Sequence, residues 1–340
     1  MRVFVSEYLV GGACTGVNGP PSMRREGLAM LRAVTEDIAK LAGASVVTTL
    51  EAGLSLSSKV QTIWIEDPHQ EGQVFRQLLG EVDHVLIIAP ETAGILAQRC
   101  RLVRASDAVS WNCSPAAIEL CGDKLRLSHD FLSRGIPTPV TSLVDFTETP
   151  RLDLGPIVLK PRDGAGSSLT FLVKTLADFR AAAQAYKHSH MSDQCICQPY
   201  HAGRALSVGV NISLDGRQLE CLPVAEQRLS DEGRFQYLGG RIPADLPDAS
   251  ASAIRRLVLQ ACRSIDGLAG YVGVDLVLSP EGIPTIIEVN PRLTTSYVGY
   301  RQLFREPLPR RWLASTPSGS LVSEPPGLMT NLPIEFNTIN

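Results

Sequence analysis

Apolar and polar positions come in alternating blocks over the first third of the chain. Apolar runs at Met1 to Val5, Ser45 to Leu50 and Val85 to Ala89 have the length of buried strands. Between them, Arg24 to Leu41 and Gln70 to Leu79 repeat apolar residues at helical spacing. Strands and helices taken in turn predict a parallel α/β layer over residues 1–115. A helix is predicted over Ala117 to Gly135, where Gly135 and the prolines Pro137 and Pro139 end it. Next come a strand at Ile157 to Lys160, a glycine-rich turn, a strand at Leu169 to Val173, a helix at Leu176 to Tyr186 and a strand at Cys195 to Pro199. A β region from Ala205 to Val224, with a hairpin at Asp215-Gly216, precedes a helix at Ser250 to Leu268. Two last strands, Tyr271 to Leu278 and Thr285 to Asn290, are joined by Ser279-Pro-Glu-Gly-Ile-Pro284. After Glu306, six prolines and little periodicity predict irregular surface chain. The pattern as a whole is α/β and α+β, divided at 1–115, 116–197, 198–310 and 311–340.

Composition narrows the function classes. A net charge of −3 and 20% charged residues in 340 give no sign of the broad basic face that nucleic-acid binding draws on. No run approaches the roughly 18 apolar residues of a membrane span. Glu7 stops the opening apolar run too early for a secretory segment. The expectation is a soluble cytoplasmic protein with neither nucleic acid nor membrane as partner. Eight cysteines without a C-x-x-C pair suit reduced thiols. Cys195 and Cys197, on one face of a strand, read as packing rather than as a zinc site.

The last two strands carry the strongest chemical signal. Pairing Leu278 with Thr285 places Asp275 directly opposite Glu288, with Cβ atoms about 5 Å apart, a position where like charges are unfavourable. A strand pair of Val, Ile and Leu has no reason to hold two facing acids unless they are solvated at an edge, one pairs with Arg292, or a cation lies between them. Asn290 projects from the same face as Glu288 and completes an oxygen-donor set suited to Mg²⁺ (or Mn²⁺). Magnesium held by so few protein ligands completes its shell with water and phosphates, which predicts a nucleotide nearby.

A second stretch offers the phosphate partner. Lys160 ends a strand and is followed by a turn containing Gly164, Gly166, Ser167 and Ser168, whose N–H and hydroxyl groups can wrap phosphates. Lys124, on the preceding helix, is a further phosphate ligand candidate. The early Gly11 to Gly16 segment lacks the Lys and Ser or Thr of a P-loop and has Ala13 where a dinucleotide loop needs glycine. It is left as a substrate-contacting loop or a plain turn.

These residues together resemble a known family. Asp123-Lys124, Gly135-Ile-Pro-Thr-Pro139, Leu159-Lys160-Pro-Arg-Asp-Gly-Ala-Gly-Ser-Ser168, Gln198-Pro-Tyr200, Gly273-Val-Asp275 and Glu288-Val-Asn-Pro-Arg292 are similar in order and spacing to the ATP-grasp carboxylate-amine ligases, over roughly residues 85 to 305. The resemblance implies an ATP-grasp fold with an N-terminal pre-ATP-grasp domain and two clamp subdomains closing on ATP. It further implies Lys124 and Lys160 on the phosphates, Gln198, Pro199 and Tyr200 at the adenine hinge, and Asp275, Glu288 and Asn290 on the metal. Arg292 is implied beside the transferring γ-phosphate, and with Lys160 forms the catalytic pair. One position departs from the pattern: Ala205 stands where members carry a ribose-binding acid, so that contact falls to Gln198 or to backbone.

Further stretches resemble the tyramine:glutamate ligase group of methanofuran biosynthesis and its bacterial relatives. They are Glu7-Tyr-Leu-Val-Gly-Gly12, Ala89-Pro-Glu-Thr-Ala-Gly-Ile-Leu96, Glu226-Gln-Arg228 with Tyr237 to Pro243, and Asn290 to Tyr300. The implied reaction joins the carboxylate of glutamate to an aromatic amine through an acylphosphate. Arg241, Arg292 or the loop containing Thr294, Ser296 and Tyr297 would hold the acid. Ligation of another acid and amine, a non-catalytic nucleotide-binding protein, and a dinucleotide oxidoreductase built on the N-terminal layer are the competing readings. Self-association as a homodimer is left open.

Overall fold

After Arg2, every residue of β1 (Arg2–Glu7) is buried, as befits a central strand covered on both faces. The computed structural model describes residues 1–15, 21–164, 166–313 and 333–336. Within it, α1 (Pro21–Ile38), β2 (Ser45–Glu51), β3 (Val60–Ile65), α2 (Pro68–Leu79), β4 (His84–Ile88), α3 (Ile95–Arg104) and β5 (Val109–Ser110) follow in turn. The strands form a parallel sheet of order β3-β2-β1-β4-β5, the α/β layer expected from the blocks of apolar residues. The edge strand β3, with only Val60 and Ile65 buried, shows too little apolar alternation to be seen in the sequence. Gly16 of the early glycine segment lies outside the described residues.

The helix expected over 117–135 is two helices, α4 (Pro115–Gly122) and α5 (Lys124–Ser133). Asp123 breaks them apart in an extended conformation, and its carboxylate accepts the Arg126 N–H as the N-cap of α5. Lys124 therefore sits in the first turn of a new helix rather than mid-helix.

A small antiparallel sheet follows. It is built from β6 (Ser142–Leu143), β7 (Ile157–Pro161), β8 (Phe171–Val173) and β9 (Cys195–Pro199), in the order β6-β9-β7-β8, with α6 (Leu176–His188) packed on it. The division placed between residues 197 and 198 cuts through β9, which pairs with β7 as far as Pro199 opposite Ile157.

The third sheet is the largest. Its strands are β10 (Arg204–Ile212), β11 (Leu219–Cys221), β12 (Ala225–Leu229), β13 (Tyr237–Ile242), β14 (Gly270–Leu278), β15 (Pro284–Asn290) and β16 (Ile334–Phe336), with α7 (Asp248–Arg263), α8 (Tyr297–Tyr300) and α9 (Pro309–Leu313) interspersed. The order is β15-β14-β10-β12-β13-β16, and β11 pairs with β10. The tail read as irregular thus supplies α9 and an edge strand, β16, which pairs antiparallel with β13.

The N-terminal layer is packed against this sheet rather than tethered to it. Trp111 meets Trp312 edge-on at 6.1 Å, and both are fully buried. Asp37 of α1 accepts a hydrogen bond from the Tyr297 hydroxyl at 2.8 Å and pairs with Arg301 at 2.7 Å. All eight cysteines are free, with Cys195 in the small-sheet core. Among the described residues, no helix is long and apolar enough to cross a membrane.

Candidate active site

The hairpin that carries the acids differs from the expected register by one residue, and then corrects itself. Leu278 pairs with Pro284, and Leu276 with Ile286. A bulge at Ile287 then shifts the ladder, so that Asp275 faces Glu288 and Gly273 faces Asn290. Without the extra residue, Glu288 would turn to the other face of the sheet. Gly273 is required here, because a Cβ on it would lie 2.5 Å from Thr294 Cγ2.

Around the two acids the donors converge. Asp275 accepts Asn290 Nδ2 at 2.9 Å and Gln227 Nε2 at 3.0 Å. Burial and the facing Glu288 charge push the Asp275 carboxyl up to about 7. Burial also acts on Glu288, but Lys124, Lys160 and Arg292 outweigh it and hold Glu288 below the usual carboxylate range. Lys160 is pushed down to about 8, mainly by burial.

Two repelling carboxylates and an amide fit a hard divalent cation. Among the described residues, no three His, Cys, Asp or Glu side chains surround one metal position. A cation held by these three side chains would need further oxygens, from water or phosphate, to fill its shell.

The lysines arrive from the opposite side. Lys160 is the last residue but one of β7, and Lys124 opens α5; both are buried. Lys124 Nζ donates to the Gly164 carbonyl at 2.7 Å and stands 3.6 Å from Glu288 Oε2, linking the glycine loop to the acid pair. Asp123 fixes this junction by a two-pronged pair with Arg162 at 2.8 and 2.6 Å.

A cavity of about 700 Å³ opens between the two antiparallel sheets. Lining it are Lys124, Lys160, Gly164, Gly166, Ser167, Ser168, Gln198, Pro199, Tyr200, Asp275, Glu288, Asn290, Arg292, Thr294 and Ser296. Ala165 lies outside the described residues. Two committed side chains qualify the picture: the Ser167 hydroxyl donates to the Phe235 carbonyl at 2.7 Å, and Gln198 Nε2 donates to Thr141 at 2.8 Å.

Two expected substrate residues are placed elsewhere. Tyr297 is fully buried, with its hydroxyl on Asp37, because α8 is the seam to the N-terminal layer. Arg241 lies on β13 opposite Glu226 and Glu335 and does not line the cavity. Thr294 and Ser296 do line it, bonded to each other at 2.9 Å and braced by the Tyr271 hydroxyl.

Several site residues escaped the sequence reading. Glu26 of α1 reaches the cavity and accepts the Thr295 hydroxyl at 2.9 Å; burial raises its carboxyl above the usual range. Gln227 and Glu226 enter from β12. Glu226, bonded to Arg204 at 2.9 Å, is a carboxylate lining the same cavity as Ala205. Glu91 pairs with Arg292 at 3.0 Å. Glu91, Glu226 and Gln227 fell within stretches noted for their resemblance, but nothing local to them signals a contact made across the fold.

The class defined by this fold is a clamp of two antiparallel sheets preceded by a parallel α/β layer. A family model described as ATP-grasp domain matches residues 121–296, and one described as pre ATP-grasp 3 domain matches residues 44–118. The first spans more than half of the chain, and the chain belongs to the ATP-grasp domain family. It has the ATP-grasp fold with a pre-ATP-grasp domain.

The chain is 26% identical over 222 residues to the tyramine–L-glutamate ligase of Methanocaldococcus fervens, covering 65% of this chain and 62% of that protein. It is 32% identical over 195 residues to the D-alanine–D-alanine ligase of Bordetella petrii, covering 52% and 56%. The chain thus spans about three fifths of the length of the Methanocaldococcus relatives it matches. A crystal structure of an ATP-grasp superfamily protein from Archaeoglobus fulgidus superposes with a TM-score of 0.68 at 23% identity, over 91% of this chain and 86% of that one.

Proposed function

We propose that the protein is an ATP-dependent carboxylate-amine ligase that forms an amide and releases ADP and phosphate. The observation that carries this reading is the meeting of Asp275, Glu288 and Asn290 with Lys124, Lys160 and Arg292 in one cavity between the two antiparallel sheets.

A carboxylate cannot lose its oxygen to an amine unaided. Transfer of the γ-phosphoryl group of ATP to a carboxylate oxygen gives an acylphosphate and ADP. The amine nitrogen then attacks the carbonyl carbon, the carbon–oxygen bond to phosphate breaks, and the amine proton is lost. The chain supplies position and charge for this sequence. Lys124 and Lys160 neutralise phosphate oxygens, and Arg292 meets charge on the phosphoryl group in transit. Asp275, Glu288 and Asn290 would hold Mg²⁺ or Mn²⁺, which would supply positive charge to offset that of the phosphates. Gln198, Pro199 and Tyr200 line the end expected to take adenine.

The finer reading is glutamate joined to tyramine or a related aromatic amine, in a C1-carrier pathway of the methanofuran type. The tyramine–L-glutamate ligase likeness supports it, as do the aromatic Tyr237 and Phe336 on the cavity wall. Similarity to D-alanine–D-alanine ligases favours the same chemistry with another amino-acid pair as the second reading.

The test is mass spectrometry of reactions containing MgATP, glutamate and a panel of aromatic amines, with ADP quantified. An amide product with equal ADP is expected. No ADP across a broad panel of acids and amines would sink the ligase reading, and NAD(P) affinity without MgATP affinity would replace it with an oxidoreductase.

A further inference from the structure

Glu91 stands in the turn between β4 and α3, on the N-terminal layer, and the chemistry above gives it no part. Its side chain is only 9% exposed and meets Arg292, which lies on the far side of the cavity seam and 201 positions along the chain. Arg292 Nε lies 3.0 Å from Glu91 Oε1 and 3.1 Å from Oε2, donating its hydrogen bond to Oε2. Arg292 Nη1 donates to the Leu293 carbonyl at 3.2 Å. Nη2 is left without a hydrogen bond among the described residues, on a side chain that lines the cavity. A guanidinium is a rigid plane, so fixing Nε and Nη1 fixes the direction of Nη2.

The Glu91 side is equally constrained. A Cβ on Gly122 would come within 3.2 Å of Glu91 Cβ, so the carboxylate stem is wedged against α4. Two residues on, the Ala93 N–H donates to Asp163 of the glycine loop at 3.1 Å. Oε1 is buried without a hydrogen-bond partner. Buried polar atoms are nearly always satisfied and Arg–carboxylate pairs are frequently bidentate; this pair leaves Oε1 without a hydrogen bond and Nη2 uncommitted, on an arginine that lines the cavity.

We propose that Glu91 is a positioning residue, a carboxylate lent by the N-terminal layer that aims Arg292 into the cavity at the terminal phosphate of the nucleotide. The proposal rests on the MgATP reading above.

The experiment is titration calorimetry of the full chain with MgADP and with the magnesium complex of the non-hydrolysable ATP analogue AMP-PNP. It uses the wild type, Glu91→Gln, Glu91→Asp, Arg292→Gln and the double variant Glu91→Gln/Arg292→Gln. The wild type should prefer the triphosphate analogue by about tenfold, the worth of a charge-assisted contact. Glu91→Gln and Arg292→Gln should each remove most of that preference while MgADP affinity stays within about twofold. The double variant should be no worse than Arg292→Gln, as expected of residues acting as a unit. Glu91→Asp should recover part of the preference.

A Glu91→Gln protein that keeps the wild-type preference overturns the proposal. So does one that loses thermal stability and MgADP affinity together, and so does a double variant whose losses multiply. Loss of preference in neither single variant would instead overturn the role of Arg292, and a wild type that binds neither nucleotide would remove the MgATP reading itself.

Discussion

Asp275 faces Glu288 across the β14–β15 ladder, brought there by a bulge at Ile287. Facing acids repel, and burial adds to the cost on Asp275. Asp275→Asn should therefore raise the unfolding free energy of the metal-free protein, by on the order of 1 kcal/mol, while lowering turnover by two orders of magnitude or more, as losing a ligand from a catalytic metal site would. Thermal unfolding in a chelator, beside steady-state ADP release, checks both. A variant that is less stable and fully active would mean that the acids are a structural pair.

Arg301 carries the seam between the N-terminal layer and the large sheet. It holds Asp37 through Nε at 3.0 Å and Nη2 at 2.7 Å, and Asp37 is 3% exposed. Arg301→Ala leaves a buried acid with the Tyr297 hydroxyl and the exposed Lys40 as its remaining partners. The expected loss is about 3 kcal/mol, the lower end for breaking a buried pair. Urea unfolding measures it, and a loss under about 1 kcal/mol would mean that Lys40 compensates fully.

Glu7 gives the stability profile a readable pH dependence. It is buried beneath Gly27, where a Cβ would lie 2.5 Å from its Oε1, and it accepts the Val10 N–H. Burial pushes its carboxyl up from 4.5 to about 7, although Val10, Leu9 and Arg24 oppose this. The folded state thus holds the proton more tightly than the unfolded chain. The stabilising contribution is complete below pH 4.5 and is lost as pH rises toward 7. The slope is at most about 1.4 kcal/mol per pH unit. Glu7→Gln has no proton to release, so its stability relative to wild type should improve from pH 5 to pH 7. Parallel profiles would mean that Glu7 titrates normally.

Much of the site could be read from the chain because its residues sit in short runs whose geometry is local. Lys160 before a glycine turn, and Glu288 with Asn290 on one strand face, need only strand alternation to be recognised. The facing of Asp275 and Glu288 was reached from a register one residue off; the bulge that makes it real leaves no mark in a run of Thr-Ile-Ile-Glu. The break at Asp123 was missed because an Asp inside an amphipathic pattern reads as a surface position until its cap and Arg162 are seen. Tyr297 was misplaced, and Glu26 and the contacts of Glu91 and Gln227 went unseen, for one shared reason. Each makes its decisive contact with a residue distant in sequence, and periodicity carries no information about that.

The account stands most directly on the path of one oxygen atom. Glutamate labelled with heavy oxygen in its carboxylates, incubated with MgATP and an amine that yields product, should pass one labelled oxygen into each phosphate released, with ADP as the other product. Phosphate free of label, or release of AMP and pyrophosphate, would contradict the acylphosphate route and with it the roles given to Lys124, Lys160 and Arg292.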